Sequence, residues 1–293
     1  MSSVGPVYVV GAGRLGAALL LRWRAAGVAV AGAWSRTPAG AARASALLKF
    51  SVDAGPDPPT DLGVAEVVVL GVPDDAVVTM ASALAASGAL RPSHVLLHCA
   101  GALDASALAP AEALVSSTGS MHPLQTVSDP EAGSRALEGA WAACEGGARE
   151  TAVELAQAAG LRPVRLRPGS KAAYHAAAVL ACNDLVALFD VALQLMELAG
   201  VEREQGRSML VPLVRATVDN LGELTPEEAL TGPIRRGDVG SVRRHLEVVD
   251  GPARDVYLAL GRAALALARR ATPPLEEEAL LALEALLSER RER

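Results

Sequence analysis

The 293-residue sequence contains few lysines, asparagines, isoleucines, cysteines and aromatic residues. Its 27 basic residues are arginines except for Lys49 and Lys171, its asparagines are Asn183 and Asn220, and its one isoleucine is Ile234. Alanine and leucine dominate instead, which is typical of a GC-rich coding bias. Arginine is therefore the default basic residue here and is weak evidence for a phosphate site, whereas each lysine and asparagine is informative.

Clustered positive charge, paired cysteines and long apolar runs are also missing. With 33 acidic side chains and a formal net charge of -6, we expect no nucleic-acid partner, because such binding needs clustered cations. The three cysteines form no CxxC motif, so we expect a reducing compartment and neither a disulfide framework nor a metal site. No uninterrupted apolar run reaches the ~18 residues of a membrane span, and the start lacks a charged targeting segment. The sequence thus predicts a cytoplasmic protein with no membrane partner.

The first half alternates short β-rich runs with alanine-rich helical stretches, which is typical of a parallel sheet covered by helices on both faces. The 51% hydrophobic content is ample for such a core. Helices are predicted at 15–26, 39–48, 75–86 and 148–159. Strands are predicted at 7–10, 28–34, 66–72, 94–99, 114–118, 140–145 and 163–166.

After the segment 167–170 the strand signal stops, and the remaining sequence predicts helices broken at glycines and prolines. We therefore expect an α/β fold of two domains: residues 1–168 form a dinucleotide-binding parallel sheet, and residues 169–293 form an all-helical domain for substrate binding and dimerisation.

The strongest motif is a GxGxxG turn that directly follows the first predicted strand and opens the first predicted helix. In this context Gly11 permits the tight turn, Gly13 lets backbone amides approach a pyrophosphate, and Gly16 lets the helix pack close to the strand. The helix N-terminus adds a partial positive charge for the phosphates. The predicted cofactor-binding residues of this turn are Gly11, Ala12, Gly13, Arg14, Leu15 and Gly16.

The end of the second predicted strand decides which nucleotide binds. An NAD-binding protein usually has a carboxylate there for the ribose, but this sequence has Ser35, Arg36 and Thr37. A guanidinium between two hydroxyls suits a 2′-phosphate, so the sequence favours NADP(H). The alternative is that Arg36 only begins a solvated helix. Val72 and Pro73 follow a later strand, at the sheet edge where ligands bind, and are also predicted to flank the cofactor.

Several motifs occur in an order that resembles a known family. They are GAGRLG, Ser-Arg-Thr, Val-Pro-Asp-Asp, His98 to Gly101, Ser120 to Gln125, Ala173 to Ala178 and Leu230 to Pro233. Together they resemble Rossmann-like NADP-dependent oxidoreductases with a C-terminal domain of unknown function, number 2520. The resemblance implies a helical domain similar to those of pyrroline-5-carboxylate reductase and 6-phosphogluconate dehydrogenase, and a homodimer formed through it. It also implies that Gln125, Thr231 and Gly232 approach the substrate.

Four residues are candidates for catalysis. His122 is expected in a loop after a strand, kept out of helical geometry by the proline that follows it. Lys171 and His175 are four residues apart on one predicted helix from 170 to about 198, and Asn183 is two turns further along it. The resemblance implies that lysine and asparagine on this helix lie near the nicotinamide. In the alternative interpretation Asn183 begins a solvated face, Lys171 is a surface residue and His122 is a plain loop histidine.

These residues predict an NADP-dependent oxidoreductase that moves a hydride between the nicotinamide and a small carbonyl, alcohol or imine bound between the domains. A donor such as His175 or Lys171 would stabilise charge on the substrate heteroatom. The main alternative is a non-catalytic NADP-binding sensor or scaffold. A deazaflavin-dependent reductase is a more distant one.

Overall fold

A computed structural model describes residues 4–288. This part of the chain divides into two compact units, of which the first ends at Leu180 and the second begins at Ala181. The first unit carries the sheet and the second is helical, so the predicted fold class is confirmed. The helix at Lys171–Ala181 lies almost wholly in the sheet-bearing unit, whereas the sequence placed it in the helical domain.

The first unit contains an eight-stranded sheet. Its order is β3-β2-β1-β4-β5-β6-β7-β8, and every neighbouring pair is parallel except β6 and β7. The order 3-2-1-4-5-6 is that of a dinucleotide-binding sheet. The strands are β1 (Val7–Val10), β2 (Val30–Ser35), β3 (Asp53–Ala54), β4 (Val67–Leu70), β5 (Val95–His98), β6 (Ser117–Leu124), β7 (Trp141–Gly146) and β8 (Arg162–Arg165).

Helices cover both faces of this sheet. Short 3-10 turns at Asp74–Ala76 and Ala105–Leu108 follow β4 and β5. The helices of the first unit are α1 (Arg14–Ala25), α2 (Pro38–Leu48), α3 (Val77–Ser87), α4 (Ala109–Glu112), α5 (Pro130–Ala136), α6 (Arg149–Ala158) and α7 (Lys171–Ala181). Those of the second unit are α8 (Asn183–Leu198), α9 (Arg203–Glu223), α10 (Pro226–Ala229), α11 (Gly232–Arg235), α12 (Val239–Val248), α13 (Gly251–Ala268) and α14 (Glu277–Ser288).

The apolar runs of β1 and β4 are buried throughout, as expected of central parallel strands. On one face they meet Leu19, Leu20 and Trp23 of α1, and the Trp23 indole donates a hydrogen bond of 2.8 Å to the carbonyl of Leu155 in α6. The opposite face packs on a separate apolar cluster from α3 and the segment after β5. The second unit has its own core, centred on α11 to α14.

Two sequence predictions about local structure are wrong, and both affect the candidate site. His122 does not lie in a loop, because β6 runs on to Leu124 and pairs antiparallel with β7 from Gly119. The predicted continuous helix from 170 to 198 is broken at Cys182, whose φ of -123° and ψ of -67° leave the helical region. Asn183 therefore begins a new helix, and its predicted position two turns along the helix of Lys171 does not apply.

Candidate functional site

The glycine-rich turn forms the tight connection between β1 and α1. Gly11 has a φ of +106°, and the amides of Gly11 and Ala12 both donate to the Trp34 carbonyl of β2, at 2.8 and 2.9 Å. A Cβ on Gly16 would lie 2.2 Å from the Gly11 carbonyl oxygen. The fold therefore requires glycine at positions 11 and 16, the first for its backbone angle and the second for the close approach of helix and turn.

Gly13 differs from these two glycines. Its φ of -75° suits any residue, and a Cβ built on it meets no described atom within 4 Å. It is exposed and precedes Arg14 and Leu15 at the start of α1, with no side chain to cap the helix. Because the amides of a first helical turn have no partner within the helix, this end of α1 can receive an anion.

The residues that are predicted to flank the nucleotide lie at the carboxyl ends of neighbouring strands. Ser35 is the last residue of β2, and Arg36 is exposed with no hydrogen bond or ion pair to another described residue. Thr37 caps α2, its hydroxyl accepting a hydrogen bond of 3.1 Å from the Gly40 amide. Val72 lies beside the turn, since its Cγ1 would be 2.9 Å from a Cβ on Gly11. Pro73 precedes the 3-10 turn after β4.

The two predicted catalytic histidines meet over Gly101. The ring centroids of His122 and His175 are 5.9 Å apart, in an edge-on arrangement. A Cβ on Gly101 would lie 2.4 Å from His175 Nδ1 and 2.9 Å from His122 Nε2. The missing side chain of Gly101 thus leaves room for two ring nitrogens to converge on one point.

The two histidines differ in their partners. His122 Nδ1 lies 3.0 Å from the Tyr174 hydroxyl, and burial, with the positive charge of Lys171 second, lowers the pKa of His122 to about 4. His122 is therefore neutral at pH 7. The Nδ1 of His175 is buried without a hydrogen-bond partner among the described residues. An unpaired buried nitrogen of this kind is costly in a folded protein, which marks it as a position that a ligand can satisfy.

Lys171 is only 2% exposed, so its alternative interpretation as a surface residue is wrong. Its Nζ donates a hydrogen bond of 2.7 Å to the carbonyl of Ala100, the residue before Gly101. Burial lowers the pKa of Lys171, and the carboxylate of Glu145 is the first of the charges that oppose this effect. Lys171 thus holds the turn on which the two histidines pack.

Four predicted site residues remain, one in the first unit and three in the second. Gln125 is exposed, and its amide binds the Ala136 carbonyl and the Thr126 backbone amide. Asn183, Thr231 and Gly232 belong to the second unit, where Asn183 is exposed and Thr231 precedes α11. Thr231 lines an apolar cavity of about 350 Å³ within that unit, beside the hydrogen-bonded pair His245 and Tyr257.

No role was predicted for Tyr174, although its hydroxyl lies 3.0 Å from His122 Nδ1. The buried polar residues Ser120 and Glu145 were also missed, because the predicted strands end at 118 and 145 and place neither of them in the middle of a strand. The contact of Gly101 with His175 could not be predicted, since it joins the turn to a helix some 70 residues further along the chain.

Comparisons with known proteins agree with this architecture. Residues 3–123 match the model of the Rossmann-like domain, and residues 141–264 match the Domain of unknown function (DUF2520). The chain therefore carries a Rossmann-like domain. More particularly, this domain is followed by one that matches DUF2520. A comparison with curated proteins found no match.

Several solved structures share the fold. A Thermotoga maritima protein is 24% identical with a TM-score of 0.71, over 90% of this chain and 98% of its own. A Bacteroides fragilis protein, named as a proposed NADP oxidoreductase, is 22% identical with a TM-score of 0.70, over 90% of this chain and 99% of its own. Plasmodium falciparum pyrroline carboxylate reductase with NADP bound is 11% identical with a TM-score of 0.55, over 98% of this chain and all of its own.

Proposed function

We propose that the protein is an NADP-dependent oxidoreductase that transfers a hydride between the nicotinamide and a small carbonyl, alcohol or imine. The proposal rests on the backbone conformation and surroundings of Gly13. Its φ is one that any residue adopts, and there is open space where a Cβ would be. The fold does not require glycine at this position. A dinucleotide does, because its pyrophosphate must approach the backbone at the second glycine of the motif.

NADP(H) is the form of the cofactor that the charges favour. Arg36 is exposed at the end of β2 and free of other described partners, so its guanidinium is available for a 2′-phosphate. The cofactor would supply or accept the hydride when bound.

The chain's own residues would bind and polarise the carbonyl or imine group of the substrate. With Tyr174 as the donor to its Nδ1, His122 would keep its single proton on Nε2, the nitrogen that faces Gly101. A neutral N–H donor there can polarise a substrate carbonyl or imine without losing its proton at pH 7. His175 Nδ1, buried and unpaired, offers a second polar atom to the same substrate group.

The first experiment is a titration with NADPH of the wild type and of Gly13→Ala, followed by fluorescence. The variant should keep the wild-type unfolding temperature, because its new methyl group meets nothing, and should bind NADPH at least about tenfold more weakly, or 1.4 kcal/mol. Gly222→Ala, another glycine with open space, is the control and should bind normally. Equal affinity of Gly13→Ala and wild type for NADPH would contradict the proposal.

A turnover assay distinguishes an enzyme from the alternative of a non-catalytic NADP-binding protein. We expect oxidation of NADPH with some member of a panel of small carbonyls and imines, and expect His175→Ala to abolish it. NADPH binding without turnover on any substrate would favour the non-catalytic sensor or scaffold. Binding of a reduced deazaflavin in place of NADPH would favour the third alternative.

We also propose that the protein is a cytoplasmic homodimer that joins through α8 and α9. These helices pack on each other yet leave apolar side chains exposed, among them Val186 at 70% and Leu213 at 63%. The stretch Lys171–Leu198 is long and apolar enough to span a membrane by length and composition alone, which is weak evidence. Asp190 within it forms an ion pair with Arg203 of α9. Because charges are expensive inside a bilayer, a second copy of the chain suits this face better than lipid.

A further inference from the structure

The ring nitrogens of His122 and His175 point at one position above Gly101. The point where Gly101 would carry a Cβ lies 2.4 Å from His175 Nδ1 and 2.9 Å from His122 Nε2, and the two rings stand at an angle of 85°. His175 Nδ1 has no hydrogen-bond partner among the described residues. Because a hydrogen bond spans about 2.7–3.2 Å, a single ligand atom can bind both nitrogens at once.

One side of this histidine pair is fixed and the other can adjust. His122 is held in β6, with its Nδ1 3.0 Å from the Tyr174 hydroxyl, and the turn below it is held by the bond from Lys171 Nζ to the Ala100 carbonyl. His175 is a half-buried residue of α7. Since the terminal torsion of a histidine has a broad minimum, a small rotation of its ring turns Nδ1 toward a ligand.

The hydrogen-bonding capacity of the two nitrogens decides which ligand atom fits. With Tyr174 as the donor to Nδ1, His122 offers only a donor at Nε2, whereas His175 Nδ1 donates or accepts according to its protonation. A carbonyl oxygen has two lone pairs and accepts from both rings. A hydroxyl oxygen accepts from His122 and donates to His175.

Nitrogen in the corresponding compounds does not satisfy both rings. An imine nitrogen has one lone pair, so it accepts from one ring and leaves the other without a partner. An iminium or ammonium nitrogen only donates, which leaves the His122 donor unpaired. An unpaired polar group in such a site costs binding free energy, so the histidine pair selects oxygen over nitrogen.

We propose that the histidine pair binds a substrate oxygen, so that the substrates are a carbonyl compound and its alcohol and not an imine and its amine. This inference rests on the proposed function. In the reduction, the carbonyl carbon takes the hydride, with its two electrons, from the reduced nicotinamide as the C=O π bond breaks. The oxygen takes one proton from Nδ1 of the imidazolium form of His175. His175 is left neutral, with its proton on Nε2, and its Nδ1 accepts from the new hydroxyl.

The test uses three small probes on the full chain labelled with 15N at histidine. Acetone, 2-propanol and isopropylamine share one carbon skeleton, and isopropylamine is an ammonium at pH 7. We expect acetone and 2-propanol to shift the ring nitrogens of His122 and His175 along one binding curve, because one atom contacts both. Isopropylamine should bind at least about tenfold more weakly. His245, which contacts the Tyr257 hydroxyl at 2.8 Å, is the internal control and should not respond.

Two variants show whether the probes bind at the shared point. Gly101→Ala puts a methyl group there and should abolish the response of both rings, whereas Gly222→Ala, a glycine with open space around it, should respond normally. His175→Phe keeps a ring without the nitrogen, and it serves even if Gly101→Ala does not fold. It should bind 2-propanol about tenfold more weakly and lose the preference over isopropylamine.

Several results would overturn the inference. They are binding of isopropylamine as tight as that of 2-propanol, a response of one ring only, or no response of either ring to any probe. Turnover of imines but of no carbonyl would do the same. If NADPH does not bind, the proposed function fails whatever the probes do. If NADPH binds normally and the amine is preferred, only this inference fails.

Discussion

The Nδ1 of His122 on β6 lies 3.0 Å from the hydroxyl of Tyr174 on α7, and the two rings meet edge to face with their centroids 5.6 Å apart. Burial raises the pKa of Tyr174 to about 12, so the phenol stays protonated and is able to donate to Nδ1. A bond in that direction would fix both the orientation of the His122 ring and the nitrogen that carries its proton.

Tyr174→Phe should release that tautomer without unfolding the protein. The variant loses the donor to Nδ1, so we expect the proton of His122 to distribute over both ring nitrogens. Two-bond 1H–15N spectra of the five histidines report this directly, because protonated and unprotonated ring nitrogens have well-separated shifts. Under the proposed function kcat falls while the affinity for NADPH is unchanged. A His122 that keeps its proton on Nε2 in the variant would show that Tyr174 does not set the tautomer.

Arg36→Ala should change which nucleotide binds and little else. The side chain is exposed and has no described partner, so the unfolding temperature should stay at the wild-type value. The ratio of NADPH to NADH affinity should fall by about one to two orders of magnitude, at 1.4 kcal/mol for each tenfold change. Titration with both nucleotides measures it, with Arg43→Ala, an exposed arginine of α2, as the control. An unchanged ratio would exclude Arg36 from binding a 2′-phosphate.

Acid should destabilise the protein through its buried histidines. Burial lowers the pKa of His98 to about 4 and that of His122 to about 4, from an ordinary 6.5. The unfolded chain therefore binds more protons than the folded one between pH 6.5 and pH 4. The contribution of each histidine to the free energy of unfolding is fully present above pH 6.5. It is lost as the pH drops through this window, by up to about 3 kcal/mol for each histidine.

Denaturant unfolding at several pH values between 4 and 8 measures this loss. His98→Gln removes one of these titrating groups, so the free energy of unfolding should fall less steeply with acid in the variant than in the wild type. The comparison uses the slope, because the substitution itself also changes the stability at neutral pH. A wild-type stability that does not vary across the window would mean that both histidines titrate normally.

Leu213→Glu should separate the proposed dimer. The side chain is 63% exposed on α9, so the change costs the isolated chain little, whereas a buried carboxylate at an interface is costly. Light scattering should give twice the chain mass of 30.0 kDa for the wild type and the single mass for the variant. Val64→Glu, at a residue 74% exposed in the first unit, is the control and should remain dimeric. A monomeric wild type, or wild type that partitions into lipid vesicles, would contradict the interface.

The sequence predicted the sheet-bearing half better than the site. The apolar runs at Val7–Val10 and Val67–Leu70 are short, β-branched and followed by glycine, and such local signals suffice to place a central strand. Pro123 favoured a loop at His122, but the structure tolerates it in β6, opposite Ala142 of β7. Proline lacks an amide donor and is normally confined to strand edges, so no local rule could have extended this strand.

The rarity of lysine singles out Lys171 in the sequence, but the sequence does not reveal the partners of Lys171 and His175. That one holds the Ala100 carbonyl and the other packs on Gly101 depends on contacts across some 70 residues of chain. The helix break at Cys182 could not be predicted from the sequence either, since the residues on both sides of it favour helix.

The extension of β6 past the end of its pairing with β5 has a consequence for how the site can change. His122 is held by a backbone ladder with β7, so its position is tied to the stiffness of the sheet, whereas Tyr174 and His175 are carried by a separate helix. Substitutions that remodel α7 can move two of the three rings while the third keeps its place. A laboratory search for altered substrate preference is best directed at α7, with β6 serving as the unmoving reference.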